Sequence, residues 1–155
     1  MVGRRCLIRV CCAVALAAAL AAMSASALRS GEPTVEDLKA RLSSASISDR
    51  PRLCLQIAQQ QLAVVDKFYA AAEDDQAQAA LTDVVAYSEL ARDYSIQSHK
   101  HEKQTEIAVR GMIRKLTDIL HSLGHDSQAP VHSAIGRLER VRDDLFAAMF
   151  PKGTK

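Results

Sequence analysis

The chain has 155 residues, with 20 Lys plus Arg against 18 Asp plus Glu, so its formal net charge at pH 7 is only +2. Hydrophobic residues make up 48% of it, aromatic residues make up 4%, and tryptophan is absent. Nearly balanced charge excludes the strongly basic field with which proteins bind nucleic acid or anionic lipid. The scarcity of aromatic residues leaves few large side chains that could line a deep ligand pocket.

Residues 1 to 27 have the order of segments found in a secretory signal peptide. Three arginines without an acidic neighbour come first, an apolar run follows at residues 10 to 23, and Ala25-Ser26-Ala27 matches an A-x-A cleavage site. The run of about 14 residues is shorter than the roughly 20 that a membrane-spanning helix needs, which disfavours the alternative of an uncleaved anchor. We therefore expect an exported protein, periplasmic or secreted, whose mature chain begins at Leu28 and has no membrane span.

Removal of this leader changes both the charge and the cysteine content. It leaves 17 basic and 18 acidic side chains, a net charge of −1, so we expect no nucleic-acid partner. Three of the four cysteines also leave, and Cys54 alone cannot form an internal disulfide. The apolar neighbours of Cys54 predict a buried thiol, and the alternatives are a disulfide between chains or a reactive thiol.

The first predicted element is a short helix within a flexible N-terminal segment, residues 28 to 48. Thr34 and Asp37 have the spacing of a capping box, in which each side chain accepts a hydrogen bond from the other residue's backbone. The helical domain is expected at residues 49 to 150, and Pro51 suits the first turn of its first helix. Apolar residues at spacings of three and four extend that helix to about Ala72.

Residues 76 to 123 contain no proline and a single glycine, Gly111, and their heptad pattern keeps its phase. This pattern predicts one long central helix that two antiparallel hairpins share. The alternative is a break near Ser98, which gives an up-down-up-down four-helix bundle. Gly124 favours an end to this segment, and a last helix to about Met149 precedes a tail at residues 151 to 155. Sustained period-two alternation is missing from the sequence, so the predicted fold class is all-α.

Along the predicted central helix, the heptad positions that elsewhere hold large apolar residues hold small residues at four places: Ser88, Ala91, Ser95 and Ser98. Small residues let another helix approach closely, so these four are candidate interaction residues for a protein partner or for self-association. The alternative is that the short N-terminal helix folds back and covers them through Leu38 and Leu42.

Histidines and carboxylates meet in the stretch SIQSHKHEKQTE, residues 95 to 106. On an unbroken helix His99, Glu102 and Glu106 share one face, whereas His101 points about 200° away from His99. These three are candidate metal ligands, but a solvated polar face is the preferred interpretation, because no H-E-x-x-H motif accompanies them. The sequence also contains no fingerprint of a known catalytic site, so we predict neither a catalytic residue nor a cofactor.

Two stretches, ALTDVVAYSELARDYSIQSHKHEKQTEIAVR and RLERVRDDLFAAMFP, resemble exported helical proteins of unknown function from environmental bacteria, over roughly residues 49 to 151. The resemblance implies an exported all-helical protein and assigns no activity and no site residue. Together with the residues, it leads us to expect a non-enzymatic structural or protein-interaction module. The alternatives are a metal-responsive or stress-sensing protein of the periplasm and an enzyme of unrecognised type.

Overall fold

The computed structural model of the protein describes residues 31–151. The predicted leader, its cleavage site and the predicted tail beyond residue 151 lie outside the described residues. Within them the chain forms five α-helices, and the all-α prediction is confirmed. The helices are α1 (Val35–Ser44), α2 (Arg50–Ala70), α3 (Asp74–Ser98), α4 (Glu102–Ser122) and α5 (Gln128–Met149), with a short 3-10 turn (His125–Ser127) before α5.

The short helix α1 begins with the predicted capping box. Thr34 Oγ1 accepts a hydrogen bond from the Asp37 amide and Asp37 Oδ2 accepts one from the Thr34 amide, both at 3.2 Å. Leu38 is fully buried in a cluster with Leu53 and Ile57 of α2. These contacts attach α1 to the outside of the main bundle, because the burial of one leucine is worth roughly 1.5–3 kcal/mol.

Helices α2 and α3 form an antiparallel hairpin around a tight turn at Ala72. The Ala72 amide donates to the Tyr69 carbonyl at 3.1 Å, and the Glu73 amide donates to the Phe68 carbonyl at 2.9 Å. This pair of hydrogen bonds is the Schellman motif, which satisfies the last carbonyls of a helix. Its left-handed position usually holds glycine, yet here Ala72 adopts a φ of 59°.

The predicted long central helix is wrong, because the chain breaks between α3 and α4. His99 and His101 have left-handed φ angles of 51° and 67°. The His99 amide donates to the Ile96 carbonyl at 3.3 Å and the Lys100 amide donates to the Ser95 carbonyl at 3.2 Å, so a second Schellman motif ends α3. The absence of Gly and Pro misled the prediction, since histidine tolerates a left-handed angle better than most residues do.

Helices α4 and α5 pack together as a second hairpin, and contacts between the two hairpins fix the direction of each helix. Asp74, at the start of α3, accepts a hydrogen bond from Ser127 just before α5, and Arg92 near the end of α3 pairs with Asp144 near the end of α5 at 2.8 Å. Helices α3 and α5 therefore run parallel. Because each also belongs to an antiparallel hairpin, α2 to α5 alternate in direction, as in the up-down-up-down bundle that was the alternative prediction.

The core of this bundle lies between the two hairpins. Its fully buried side chains include one stripe from each long helix: Cys54, Ala58 and Val65 of α2, Val84 and Ala91 of α3, Val109 and Leu116 of α4, and Val131, Leu138, Val141 and Leu145 of α5. In this described part of the chain, none of the helices combines the length and apolar character needed to cross a membrane.

Candidate functional site

The four candidate interaction residues lie inside the bundle or at its edge. Ser88, Ala91 and Ser95 are fully buried and Ser98 is half-buried. The Ser95 and Thr105 hydroxyls share a hydrogen bond of 2.8 Å across the break between α3 and α4. The small size of these residues therefore serves close packing within one chain, and their predicted contact with a partner stays a prediction.

The candidate metal ligands do not share one helix face, because α4 begins at Glu102. His99 lies in the preceding loop with 88% of its side chain exposed, and its Nδ1 is 3.9 Å from Glu102 Oε1. Glu106 is instead paired with Arg110. Within residues 31–151 no group of three or more His, Cys, Asp or Glu side chains is arranged to hold a metal ion.

Cys54 lies in the core, as its apolar neighbours predict. Its relative exposure is 0%. Burial raises the pKa of its thiol to about 12, against a smaller opposing effect of the nearby Arg50 charge. At neutral pH the thiol is therefore protonated, and a protonated thiol is a poor nucleophile and metal ligand.

A hollow of about 830 Å³ lies between the first half of α4 and the last turns of α5. Its lining residues are Glu106, Arg110, Arg142, Asp143, Phe146, Ala147 and Phe150. We refer to it as the Phe146 hollow. Phe146 and Phe150 are 54% and 62% exposed, and they are two of the three phenylalanines in the chain. Contiguous exposed apolar patches on protein surfaces often mark interaction sites.

The path of α5 explains why both rings face outward. The Phe150 amide donates to the Phe146 carbonyl at 3.0 Å, so the two residues are one helical turn apart. Their ring centroids are 4.8 Å apart and the ring planes make an angle of 45°. Leu145, which precedes Phe146, is fully buried. A helix advances about 100° per residue, so the burial of Leu145 turns the next side chain away from the core.

Sequence reasoning missed this hollow. The apolar stripe of the last helix includes Val141, Leu145 and Met149, and Phe146 lies off that stripe. A large aromatic side chain off the stripe of an amphipathic helix is the signal that could have found the site. Phe150 follows the predicted end of the last helix at about Met149, and the helical pattern does not indicate whether a residue beyond that end is exposed.

Two ion pairs border the aromatic surface. Glu106 is 4% exposed, and its Oε1 accepts a hydrogen bond from Arg110 Nε at 3.0 Å. Asp143 Oδ1 accepts from Arg142 Nη2 at 2.8 Å. The side chains of Arg110 and Asp143 are 55% and 67% exposed. The rim thus presents equal numbers of positive and negative groups, with one of each sign open to water.

A second, smaller groove of about 420 Å³ lies between α2 and α4, and Ile107 on its edge is 53% exposed. Lys115 at its end pairs with Asp66 at 2.6 Å. A side-chain Cβ added to Gly111 would meet no atom within 4 Å, so the groove is open there. It lacks aromatic side chains among its lining residues, which makes it the weaker candidate of the two.

An aromatic surface with a polar, charge-balanced rim can exclude water from a matching apolar surface while the rim fixes orientation. The Phe146 hollow combines an aromatic pair with such a charge-balanced rim. No protein-family model, curated protein or solved structure matches the chain.

Proposed function

We propose that this chain is an exported, non-enzymatic helical module that works by binding protein through the Phe146 hollow. The observation that carries the proposal is the exposed pair of Phe146 and Phe150. The sequence of the leader supports export, and a periplasmic or secreted location is part of the proposal.

Simple energetics favour the aromatic pair as the source of affinity. Burying a whole phenylalanine side chain is worth about 1.5–3 kcal/mol, so covering the exposed parts of Phe146 and Phe150 yields roughly 2–3 kcal/mol. An exposed ion pair typically contributes about 0–1 kcal/mol. The phenylalanines therefore provide the anchor, and the charged rim provides selectivity.

The polar groups around the hollow also suit contact better than catalysis. Glu106 is the most buried carboxylate of the hollow, and it is already neutralised by Arg110. A general acid or base needs a proton-transfer path to a substrate, whereas this carboxylate points its hydrogen-bonding capacity at a neighbouring guanidinium. Arg142 is likewise engaged with Asp143.

Photo-crosslinking in the source cells tests the proposal. A photoreactive phenylalanine analogue placed at Phe146 is expected to give discrete crosslinked protein products. The matched control is the same analogue at Leu90, which is 37% exposed on α3 and does not line the hollow. Equal product patterns at both positions, or no product at Phe146, would contradict the proposal.

A further inference from the structure

We infer that the turn between α3 and α4 is a hinge, and that its straightening lets two copies of this chain exchange their α4–α5 hairpins. In the exchanged dimer, α3 and α4 of each copy form one continuous helix, and each hairpin packs against α2 and α3 of the other copy. The inference goes beyond the proposed function and does not depend on it. The observations that carry it are the strained turn and the heptad pattern that continues across it.

The turn holds two residues in a conformation that disfavours them. His99 and His101 have φ angles of 51° and 67°, in the left-handed region that costs free energy for any residue with a Cβ. Both histidines and the intervening Lys100 are exposed, so packing of their side chains does not compensate. His99 Nδ1 lies 3.9 Å from Glu102 Oε1, and residues three apart also meet on a straight helix. Straightening therefore relieves strain without loss of that contact.

A continuous helix would also satisfy backbone amides at the start of α4. The N-cap of α4 is His101, whose side chain makes no capping hydrogen bond, and the first amides of a helix have no carbonyl partner within it. In the straight form the amides of residues 102 to 104 would donate to the carbonyls four residues earlier. Helical hydrogen bonds would likewise replace the two bonds of the turn. Proline, which would block this change, is absent from residues 76 to 123.

The heptad pattern gives the same helix pairing before and after the exchange. The Ser95 and Thr105 hydroxyls share a hydrogen bond of 2.8 Å, which fixes the register of antiparallel α3 and α4. Counting in heptad steps away from this contact along both helices places further fully buried residues opposite each other: Ala91 opposite Val109, and Val84 opposite Leu116. Two straight helices from different copies, lying antiparallel, would pair the same residues. The core therefore accepts α4 from either chain.

A second copy fits because the exchange reuses contacts that already hold the bundle together. The ion pairs that link the parts of the chain before and after the hinge include Arg92 with Asp144, Arg137 with Glu89, and Lys115 with Asp66. In the dimer each of these pairs forms between chains, and it forms twice. By contrast, Lys39 and Asp83 both precede the hinge, so their pair at 3.4 Å stays within one chain. No new complementary surface is needed, which makes domain exchange a low-cost route to a dimer.

The exchange leaves the Phe146 hollow intact. All of its lining residues follow the hinge, so the hollow moves as a unit with the α4–α5 hairpin. The dimer would therefore present two hollows on one particle, which strengthens binding to a partner with repeated sites. The hollow can bind protein in a chain that stays monomeric, and hairpins can exchange without any partner at the hollow. Failure of one proposal is thus distinguishable from failure of the other.

Refolding of hinge variants tests the inference. The purified chain is unfolded in urea and refolded at a series of concentrations, and its mass is measured by sedimentation. We expect the wild type to form a dimer fraction that grows with concentration. The double variant His99→Ala/His101→Ala should dimerise roughly tenfold more tightly, because alanine favours the straight helix. The double variant His99→Gly/His101→Gly should dimerise roughly tenfold more weakly, because glycine removes the strain of the turn.

The matched control is His132→Ala, at an exposed position within α5. This position is helical in both the monomer and the exchanged dimer, so the variant should dimerise like the wild type. A wild type that stays monomeric at every concentration would overturn the inference. Equal dimerisation of the two double variants would overturn it as well.

Zero-length crosslinking distinguishes an exchanged dimer from any other dimer. Ordinary and isotope-labelled chains are unfolded, mixed and refolded together, and the isolated dimer is treated with a carbodiimide, which couples an amine to a carboxylate in contact with it. Lys115 Nζ is 2.6 Å from Asp66 Oδ2, so crosslinked peptides of this pair should contain both isotopes. Peptides that join Lys39 to Asp83 should contain one isotope only. A dimer without mixed-isotope peptides of the Lys115–Asp66 pair would refute the exchange.

Discussion

The Glu106 carboxylate shows how one buried charge is tolerated at the edge of a small bundle. Moving a carboxylate out of water costs several kcal/mol unless a partner charge and hydrogen bonds compensate. Arg110 lies one turn further along α4 and supplies both, and more than half of its own side chain stays in water. The spacing of four with the acid first is the favourable order on a helix, and the sequence alone predicts this pair.

Loss of Arg110 should therefore cost more than loss of an ordinary surface cation. We expect Arg110→Met to lower the free energy of unfolding by about 1–3 kcal/mol, because Glu106 would keep a buried charge without its partner. The matched control is Lys115→Met on the same helix, whose partner Asp66 is 49% exposed. Lys115→Met should change the free energy of unfolding by no more than about 0.5 kcal/mol. Urea unfolding followed by circular dichroism measures both, and equal losses would contradict the burial argument.

At the scale of the element, two helices end in Schellman motifs without glycine. Ala72 after α2 and His99 after α3 occupy the left-handed position. A left-handed angle costs an L-residue roughly 1–2 kcal/mol, which glycine avoids. The hydrogen bonds of the motif are made by the backbone, so the sequence carries no obligatory mark of either turn.

Glycine at these two positions should stabilise the protein. We expect Ala72→Gly and His99→Gly each to raise the free energy of unfolding by about 0.5–1 kcal/mol, after allowing for the greater freedom of glycine in the unfolded chain. The control is Ala63→Gly, at an exposed position within α2. This substitution should lower the free energy of unfolding by about 1 kcal/mol. Thermal and urea unfolding give the comparison. A destabilised His99→Gly variant would show that the histidine side chain itself supports the turn.

The break after α3 marks the limit of prediction from pattern alone. Heptad phase persists from Ser95 to Thr105, because both residues still face the core after the chain reverses, and their hydroxyls hydrogen-bond to each other. A heptad pattern that continues without a shift is thus compatible with one helix or with two helices that meet at a tight turn. Of the small polar side chains near the break, Ser95 contacts Thr105 of α4, whereas the Ser98 hydroxyl donates to the Tyr94 carbonyl within α3.

For the whole molecule, helix content, the capping box of α1 and the core stripes follow from local rules, and these were predicted. The Phe146 hollow depends on which helices become neighbours. Residues of α4 and α5 line it together, although Glu106 and Phe146 are far apart in the chain. Their approach is fixed by the pairing of the hairpins, and the sequence left two pairings open. Surface features that two elements form together are therefore harder to infer than the elements themselves.

Export and folding should use separate parts of the chain. The predicted cleavage after Ala27 lies upstream of Pro33, whose carbonyl accepts a hydrogen bond from Gln60 Nε2 at 2.9 Å, and upstream of the capping box of α1. Cleavage there leaves every described contact of the bundle in place. The exported protein should thus be a folded chain that begins at Leu28.

Intact-mass measurement of the exported fraction checks this prediction, and we expect the mass of residues 28 to 155. The control is Ala27→Gln, because a large polar side chain does not fit the small-residue requirement of the A-x-A site. That variant should keep its leader and stay with the membrane fraction. Removal of the leader at the same position in both proteins, or an exported wild type of full mass, would show that Ala25-Ser26-Ala27 is not the processing signal.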